Sequence, residues 1–418
     1  MWWLYNFLLT ITFPIWGTWM WWRTRARAEA PNWAERRGAY PFQLSAKDRT
    51  VWIHAVSVGE VVASIPILKE LRKQDPSVKI VLTTTTSSGY KTANEQANEL
   101  VDRIAYFPID VFLFQMSGMT HVRPKVVAVM ETELWFNFLE AAKLMRAKTL
   151  LLNGRISDRS YPRALKLQFF YASLFKRVDR CLVQTQVDAD RITALGGRNV
   201  HVLGNSKFDE ALAPAKESAE VWRERLGISS SDFVVVIGST RSEDEEHLVV
   251  SGLSKLDKQG LKIIHAPRHL ERANALSEIV RTEFDDVALR SKGEHGQYLI
   301  LDTYGELGDV YALANVAVIG GGFSNLGGQN LIQPMAMGKP VIHGPHMQNF
   351  AAVAKAGHDC GATITVDSAE SLAAAINSLR SDPERARAMG DAAREFVQGH
   401  AGASARYAAA ILEALNTE

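Results

Sequence analysis

An apolar, strand-like run from Val51 to Val56 leads into Ser57-Val58-Gly59-Glu60 and at once into an amphipathic helical pattern ending near Lys73. That order sets Glu60 at a helix N-terminus on the carboxyl edge of a parallel sheet, where open α/β folds bind and react with ligands. A carboxylate there can act as a base; the plainer reading is an acidic first-turn residue complementing the helix dipole. A second candidate lies further on, where the apolar strand Val316 to Ile319 ends in three glycines, followed by Phe323 to Asn330 and a helix expected to start near Asn330. Glycines let a backbone approach a phosphate closely, and the N–H groups of a helix start complete an anion site. The spacing is not that of the dinucleotide fingerprint, which disfavours hydride transfer, and no Walker motif is present. The plainer reading is a tight turn in which Asn330 and Gln333 form a capping pair.

The elements that must position these groups alternate between strand and helix. Buried parallel strands are expected at Val51 to Val56, Lys79 to Thr84, Val126 to Met130, Thr149 to Leu152 and Cys181 to Gln184. A second series is expected at Phe233 to Gly238, Leu261 to Ala266, Tyr298 to Leu301, Val316 to Ile319 and Pro340 to His343. Between them, the polar Ala- and Pro-containing stretch Asp209 to Ser218 reads as a linker. With 418 residues, 47% hydrophobic and 22% charged, the chain is too long for one ordinary core. The expectation is an α/β protein with two Rossmann-like doubly wound domains facing across a cleft, over residues 28–208 and 209–418. A formal net charge of +1 gives no basic excess for nucleic acid, and none is expected as a partner. Cys181 and Cys360 form no CxxC, so neither a disulfide framework nor a cysteine zinc site is suggested.

The first 27 residues differ from the rest. Trp2 to Trp22 carry no charged side chain and, as a helix, would extend about 30 Å, the hydrocarbon thickness of a bilayer. Tryptophans cluster near both ends of the stretch, and Arg23, Arg25, Arg27, Arg36 and Arg37 follow. This pattern predicts a transmembrane signal-anchor, with everything after Arg23 on the cytoplasmic side and anionic lipids as partners. A cleaved signal peptide would have its charge before the apolar run. Pro14 and Gly17 leave a kinked or interfacial helix as the alternative.

Nine strings in order resemble one family: Ser57 to Glu60 (SVGE), Met130 to Trp135 (METELW), Asn153 to Ser160 (NGRISDRS), Gly204 to Asp209 (GNSKFD), Gly238 to Thr240 (GST), Pro267 to His269 (PRH), Asp302 to Leu307 (DTYGEL), Gly327 to Pro334 (GGQNLIQP) and Gly344 to Phe350 (GPHMQNF). The chain thereby resembles the 3-deoxy-D-manno-octulosonic acid (Kdo) transferases of lipopolysaccharide synthesis, which have a GT-B fold and an N-terminal membrane anchor. The resemblance implies transfer of Kdo from CMP-Kdo to a lipid A precursor, lipid IVA, with inversion. It gives Glu60 the role of general base and places Glu131 and Lys207 in support of the transition state. It further implies that Pro267, Arg268, Tyr304, Gly305, Glu306, Asn330, Leu331, Ile332 and Gln333 bind CMP, with Arg268 forking onto a phosphate and Glu306 accepting nucleoside hydrogen bonds. The chain departs from the family where it has Gln329 for the usual His and Gln333 for the usual Glu, losing a charged acceptor for ribose hydroxyls. These losses motivate two alternatives, a GT-B enzyme using another nucleotide sugar and a membrane-bound nucleotide-sugar-binding protein without transferase activity.

No cofactor is expected beyond the donor substrate CMP-Kdo, and no metal. Asp188-Ala189-Asp190 has the DxD spacing of cation-binding GT-A enzymes, but it follows Thr185 at an expected helix start, where acidic residues are common without function. His265 and His269 flank Pro267, so they share no helical face, and no HExxH occurs.

Overall fold

The computed structural model describes residues 1–26, 32–158, 160–213 and 217–417. The chain forms two compact units, residues 1–210 together with 401–418, and residues 211–400. In the first unit the strands are β1 (Thr50–His54), β2 (Lys79–Thr84), β3 (Arg103–Tyr106), β4 (Val126–Met130), β5 (Lys148–Gly154), β6 (Arg180–Val183) and β7 (Val200–Val202), in the sheet order β3-β2-β1-β4-β5-β6-β7. The second unit holds β8 (Phe233–Thr240), β9 (Leu261–Pro267), β10 (Val287–Leu289), β11 (Tyr298–Ile300), β12 (Val316–Ile319), β13 (Val341–His343) and β14 (Thr363–Thr365), in the order β10-β11-β9-β8-β12-β13-β14. All pairings in both sheets are parallel.

Parallel strands covered by helices on both faces read as continuous apolar runs, and β1 and β4 are buried at every position. The strand period of two sorts their side chains between two cores. Trp52, Val127 and Val129 face one core with Phe136 and Phe138, while Val51, Ile53, Val126 and Ala128 face another with Val61 and Leu68 of the helix Val58–Gln74. Each Val, Leu, Ile or Phe side chain among them contributes about 1.5–3 kcal/mol relative to exposure. Four strands were not expected from the sequence, β3, β7, β10 and β14, and they are the four sheet edges. Edge strands are short and half-covered, so the apolar run that announces a central strand is missing: β7 is Val-His-Val with two exposed positions.

The domain division expected at residue 209 differs from the structure at the C-terminus, because the helix Ala403–Asn416 packs in the first unit, with Tyr407, Ala408 and Ile411 buried in the core of the 58–74 helix. Of the expected 209–218 linker, Asp209 to Ala211 end the helix Ser206–Ala211, and residues 214–216 lie outside the described residues.

The N-terminal segment is a continuous helix, Trp2–Ala26, with Pro14 inside it. No helix among the described residues is long and apolar enough to cross a membrane, which corrects the expected transmembrane anchor. The helix is long, so what fails is its apolarity: Asn6, Thr10, Thr12, Pro14 and Thr18 interrupt it. Its first turns also face protein. Trp2 Nε1 donates to Asn137 Oδ1 at 2.8 Å, Tyr5 Oη donates to Asp110 Oδ2 at 2.8 Å, and Asn6 and Asn137 exchange side-chain hydrogen bonds at 3.0 and 2.8 Å. The Tyr5 ring stacks on Phe136 at 5.4 Å. Trp3, Phe7, Ile11 and Ile15, at a spacing of four, are exposed on a different side of the helix.

Candidate functional site

In the first unit the carboxyl ends of β1 and β4 and the helix Ser206–Ala211 after β7 supply the expected catalytic residues. β1 ends at His54, and Ser57 in extended conformation starts the helix that carries Glu60 in its first turn. The Glu60 carboxylate turns back on the strand exit: Oε2 accepts from the Val56 N–H, and Ser57 Oγ donates to Oε1 at 3.4 Å. Glu60 is 9% exposed. Burial pushes its carboxyl up to about 7, assisted by the nearby charges of Glu133 and Glu131, against the opposing pull of the Val56 and Ser57 hydrogen bonds.

Glu131, one residue past β4, has the opposite environment. Lys207 Nζ donates to its Oε1 at 3.1 Å and Arg155 Nε to its Oε2 at 2.8 Å. Burial pushes this carboxyl up, but the Lys207 and Arg155 charges outweigh burial and hold it below the usual carboxylate range. The two carboxylates therefore separate into a protonatable group and a permanent anion, the division of labour that acid–base sites require. Glu133 is raised by burial and by the Glu131 charge. Arg155 is a member of this cluster that sequence reasoning did not single out, although it lies within the 153–160 string.

Backbone strain accompanies the site. Glu131 and Asn153 have φ of 55° and 53°, a region non-glycine residues seldom adopt. Asn153 Oδ1 accepts from the Ser206 N–H at 3.2 Å, and Ser206 Oγ donates to Ala63 O at 2.8 Å, tying the Lys207 loop to β5 and to the Glu60 helix. The loop is also held from the C-terminus: Tyr407 Oη donates to Gly204 O at 2.8 Å, Arg406 Nε to Leu203 O at 3.0 Å, and the Asp209 carboxylate accepts from the N–H groups of Gly402 and Ser404. Thr85 Oγ1, Ser87 Oγ and Trp135 Nε1 are buried polar atoms of the same unit with no hydrogen-bond partner among the described residues.

In the second unit the expected donor-binding residues also cluster at the carboxyl edge of the sheet. Pro267 ends β9, and the exposed Arg268 is held by its N–H donating to Thr240 O at 2.8 Å. Tyr304 is 77% exposed, and Gly305 has a φ of 84°. Glu306, expected to accept from a nucleoside, is already engaged: Arg290 donates from Nε and Nη2 at 3.1 Å each, and Thr303 Oγ1 donates to its Oε2. Arg290, unforeseen from sequence, is part of this arrangement. Gln333 lies beside the same segment, its Nε2 3.7 Å from where a Gly308 Cβ would sit.

The glycine-rich loop differs from its expected form. The helix after it is only Ile332–Ala336 with Leu331 at its cap; Asn330 Oδ1 accepts from the Ile332 N–H at 3.0 Å, and Gln333 makes no reciprocal cap. The buried Glu245 accepts from the Arg241 and Phe323 N–H groups at 2.9 and 3.2 Å, so the Phe323 N–H at the start of this loop is directed at protein. Close backbone approach is what the glycines permit. A Cβ on Gly238 would lie 1.8 Å from Tyr311 Oη, one on Gly320 2.6 Å from Thr240 N, and one on Gly344 2.1 Å from Gly322 O.

Among the described residues no group of three or more His, Cys, Asp or Glu is placed to hold a metal ion. Thr185 caps the helix Gln186–Ala194 by accepting from the Asp188 N–H, and the Asp188 carboxylate is engaged by protein, its Oδ1 accepting from the Ile156 N–H at 2.8 Å and its Oδ2 from Thr185 Oγ1 at 2.6 Å. His265 is buried between Tyr298 Oη at 2.6 Å and Thr240 Oγ1 at 2.9 Å.

A family model described as 3-deoxy-D-manno-octulosonic-acid transferase matches residues 31–210, and one described as glycosyl transferases group 1 matches residues 284–396. A 3-deoxy-D-manno-octulosonic acid transferase of Bordetella pertussis is 31% identical over 96% of this chain and 97% of its own. The chain belongs to the Kdo transferase family. The relative of the same name from Chlamydia pneumoniae is 30% identical over 83% of this Kdo transferase and 81% of its own length. A glycosyltransferase from Rickettsia africae aligns with a TM-score of 0.63 at 15% identity, over 89% of this chain and all of the other (100%), and shares the fold.

Proposed function

We propose that this Kdo transferase moves Kdo from CMP-Kdo to a hydroxyl of a lipid A precursor, lipid IVA, with inversion, and that Glu60 is its general base. The observation that carries this reading is the buried Glu60 carboxylate at the carboxyl edge, pushed up to about 7. A base poised near working pH takes the acceptor proton as the acceptor oxygen bonds to the anomeric carbon. The bond from that carbon to the phosphate oxygen breaks, and CMP departs with the electron pair. Lys207 and Arg155, held on Glu131, form a cluster with excess positive charge suited to the donor's carboxylate or phosphate. In the second unit Arg268, in no salt bridge among the described residues, suits a phosphate, while the Arg290-bound Glu306, Tyr304, Gly305 and the 330–333 segment would hold the nucleoside. The reading places the protein at the inner membrane's cytoplasmic surface, with the exposed apolar residues of the N-terminal helix meeting the interface instead of crossing it.

The test is Glu60→Gln assayed with CMP-Kdo and lipid A precursor, with product read by mass spectrometry. Turnover falls by about 10² or more while CMP affinity stays within about twofold. In the wild type, kcat/KM rises with pH and levels above an inflection near the pKa of about 7, because only the ionised carboxylate accepts a proton. Near-normal turnover in the variant would remove Glu60 from the role.

A further inference from the structure

At the opposite, amino-terminal edge of the first sheet is a cavity of ≈ 380 Å³ that none of the catalytic groups line. Its walls include Lys143, Lys148, Lys176, Arg180 and Arg198, with Asp179 the one carboxylate among the described residues that line it. These cations come from separate parts of the fold: Lys148 and Arg180 start β5 and β6, Arg198 precedes β7, and Lys143 and Lys176 stand at the ends of the helices Phe136–Leu144 and Gln168–Phe175. Helix dipoles account for cations at those two helix ends but not for the three at strand starts. The whole chain has a net charge of only +1, so five cations against Asp179 and the nearby Glu413, among the described residues, is a local concentration.

The framework under the cations is fixed. Asp179 Oδ2 accepts from the Thr149 N–H at 2.8 Å and from Thr149 Oγ1 at 3.0 Å, which turns that oxygen toward the sheet. Asn199 Nδ2 donates to Asp179 O at 2.9 Å, and Lys143 Nζ donates to Lys176 O at 3.2 Å, joining the three loops that meet there. Arg180 is bidentate to Glu413, which is 64% exposed. Among the described residues neither Lys176 nor Arg198 takes part in a salt bridge. An open, rigid, polar cavity with convergent and partly uncompensated cations suits a multiply charged anion.

We propose that this cavity is a second binding site, separate from the catalytic groups, for a phosphate-bearing ligand. Phosphate oxygens match it, since Arg198 offers a planar fork and Lys176 a mobile point charge. The β4–β5 register sets Glu131 level with Asn153, so Glu131 and the Lys148 end of the site stand roughly 17 Å apart along the sheet. Occupancy therefore does not require displacement of substrate. Two sources share this chemistry, a soluble phosphate ester and the headgroup of an anionic lipid.

The experiment uses the full chain. Inorganic phosphate and pyrophosphate are titrated calorimetrically, and cosedimentation is measured with phosphatidylcholine vesicles with and without phosphatidylglycerol. Each is repeated for Lys176→Glu/Arg198→Glu and for a control with the same charge change elsewhere on the unit, Lys47→Glu/Lys73→Glu. All four positions are exposed, and Kdo transfer in both variants serves as the check of folding. The expected result is binding by the wild type and the control that weakens at least about 10-fold in Lys176→Glu/Arg198→Glu and falls with added salt. A loss confined to the soluble anions identifies a phosphate ester, and a loss confined to the phosphatidylglycerol-dependent sedimentation identifies a headgroup. Absence of binding in both arms, or equal binding by the two double variants, overturns the site.

Discussion

Glu60 and Glu131 show how two residues of one chemical type are given opposite tasks by their neighbours. Glu60 has two neutral local donors and a buried setting, while Glu131 has two full cations. The difference has a stability signature. Folded Glu60 keeps its proton up to about 7, whereas an unfolded glutamate releases it near its ordinary, lower pKa, so stability from this group declines as pH rises through that window. Glu60→Gln removes the penalty: thermal unfolding should show a gain of up to roughly 3 kcal/mol at pH 8 and almost none at pH 4. Glu131→Gln has the reverse consequence, leaving Lys207 and Arg155 beside a neutral amide. Breaking such a pair costs ~3–5 kcal/mol when fully buried, and Arg155, about a third exposed, places this case at the low end, near roughly 3 kcal/mol in denaturant titrations at pH 7. An unchanged midpoint would mean that the two cations are solvated without their anion.

At the scale of elements, the C-terminal helix Ala403–Asn416 is part of the catalytic unit's framework. It packs on the helix that bears Glu60 and receives the Lys207 loop through Asp209, Gly204 and Leu203. Asp209→Ala deletes the acceptors at the helix start, which costs about 0.5–2 kcal/mol, and loosens Lys207. The expected outcome is a fall in kcat of about 10-fold with little change in CMP affinity, since reaching the right geometry is what suffers. Tyr407→Phe keeps the buried ring and releases only the Gly204 carbonyl, so it should show a smaller loss of the same kind. If Asp209→Ala lost stability but kept kcat, the clamp would be a fold element alone.

Over the whole molecule, the N-terminal helix joins the first unit instead of standing apart from it. Trp2, Tyr5 and Asn6 close over Asn137 and Asp110, whose carboxyl burial pushes up to about 6. Deleting residues 1–22 therefore uncovers Phe136 and Phe170 and strips a partner from Asp110, with an expected cost of about 3–5 kcal/mol. Hydrogen exchange over residues 110–138 should quicken accordingly; unchanged protection there would show that the helix is merely appended. The sequence alone determined the central strands of both sheets, because strands covered on both faces must be continuously apolar, and it placed Glu60 at a strand exit. It also brought the motif strings to the carboxyl edges. What it did not carry were relationships across long chain separations. The pairing of Glu131 with Lys207 and Arg155, the capture of Glu306 by Arg290, and the filling of glycine space by Tyr311 and by neighbouring backbone depend on where distant loops meet. Edge strands, the return of the last helix and the docked first turns of the N-terminal helix were decided in the same way, by burial that only the tertiary structure creates.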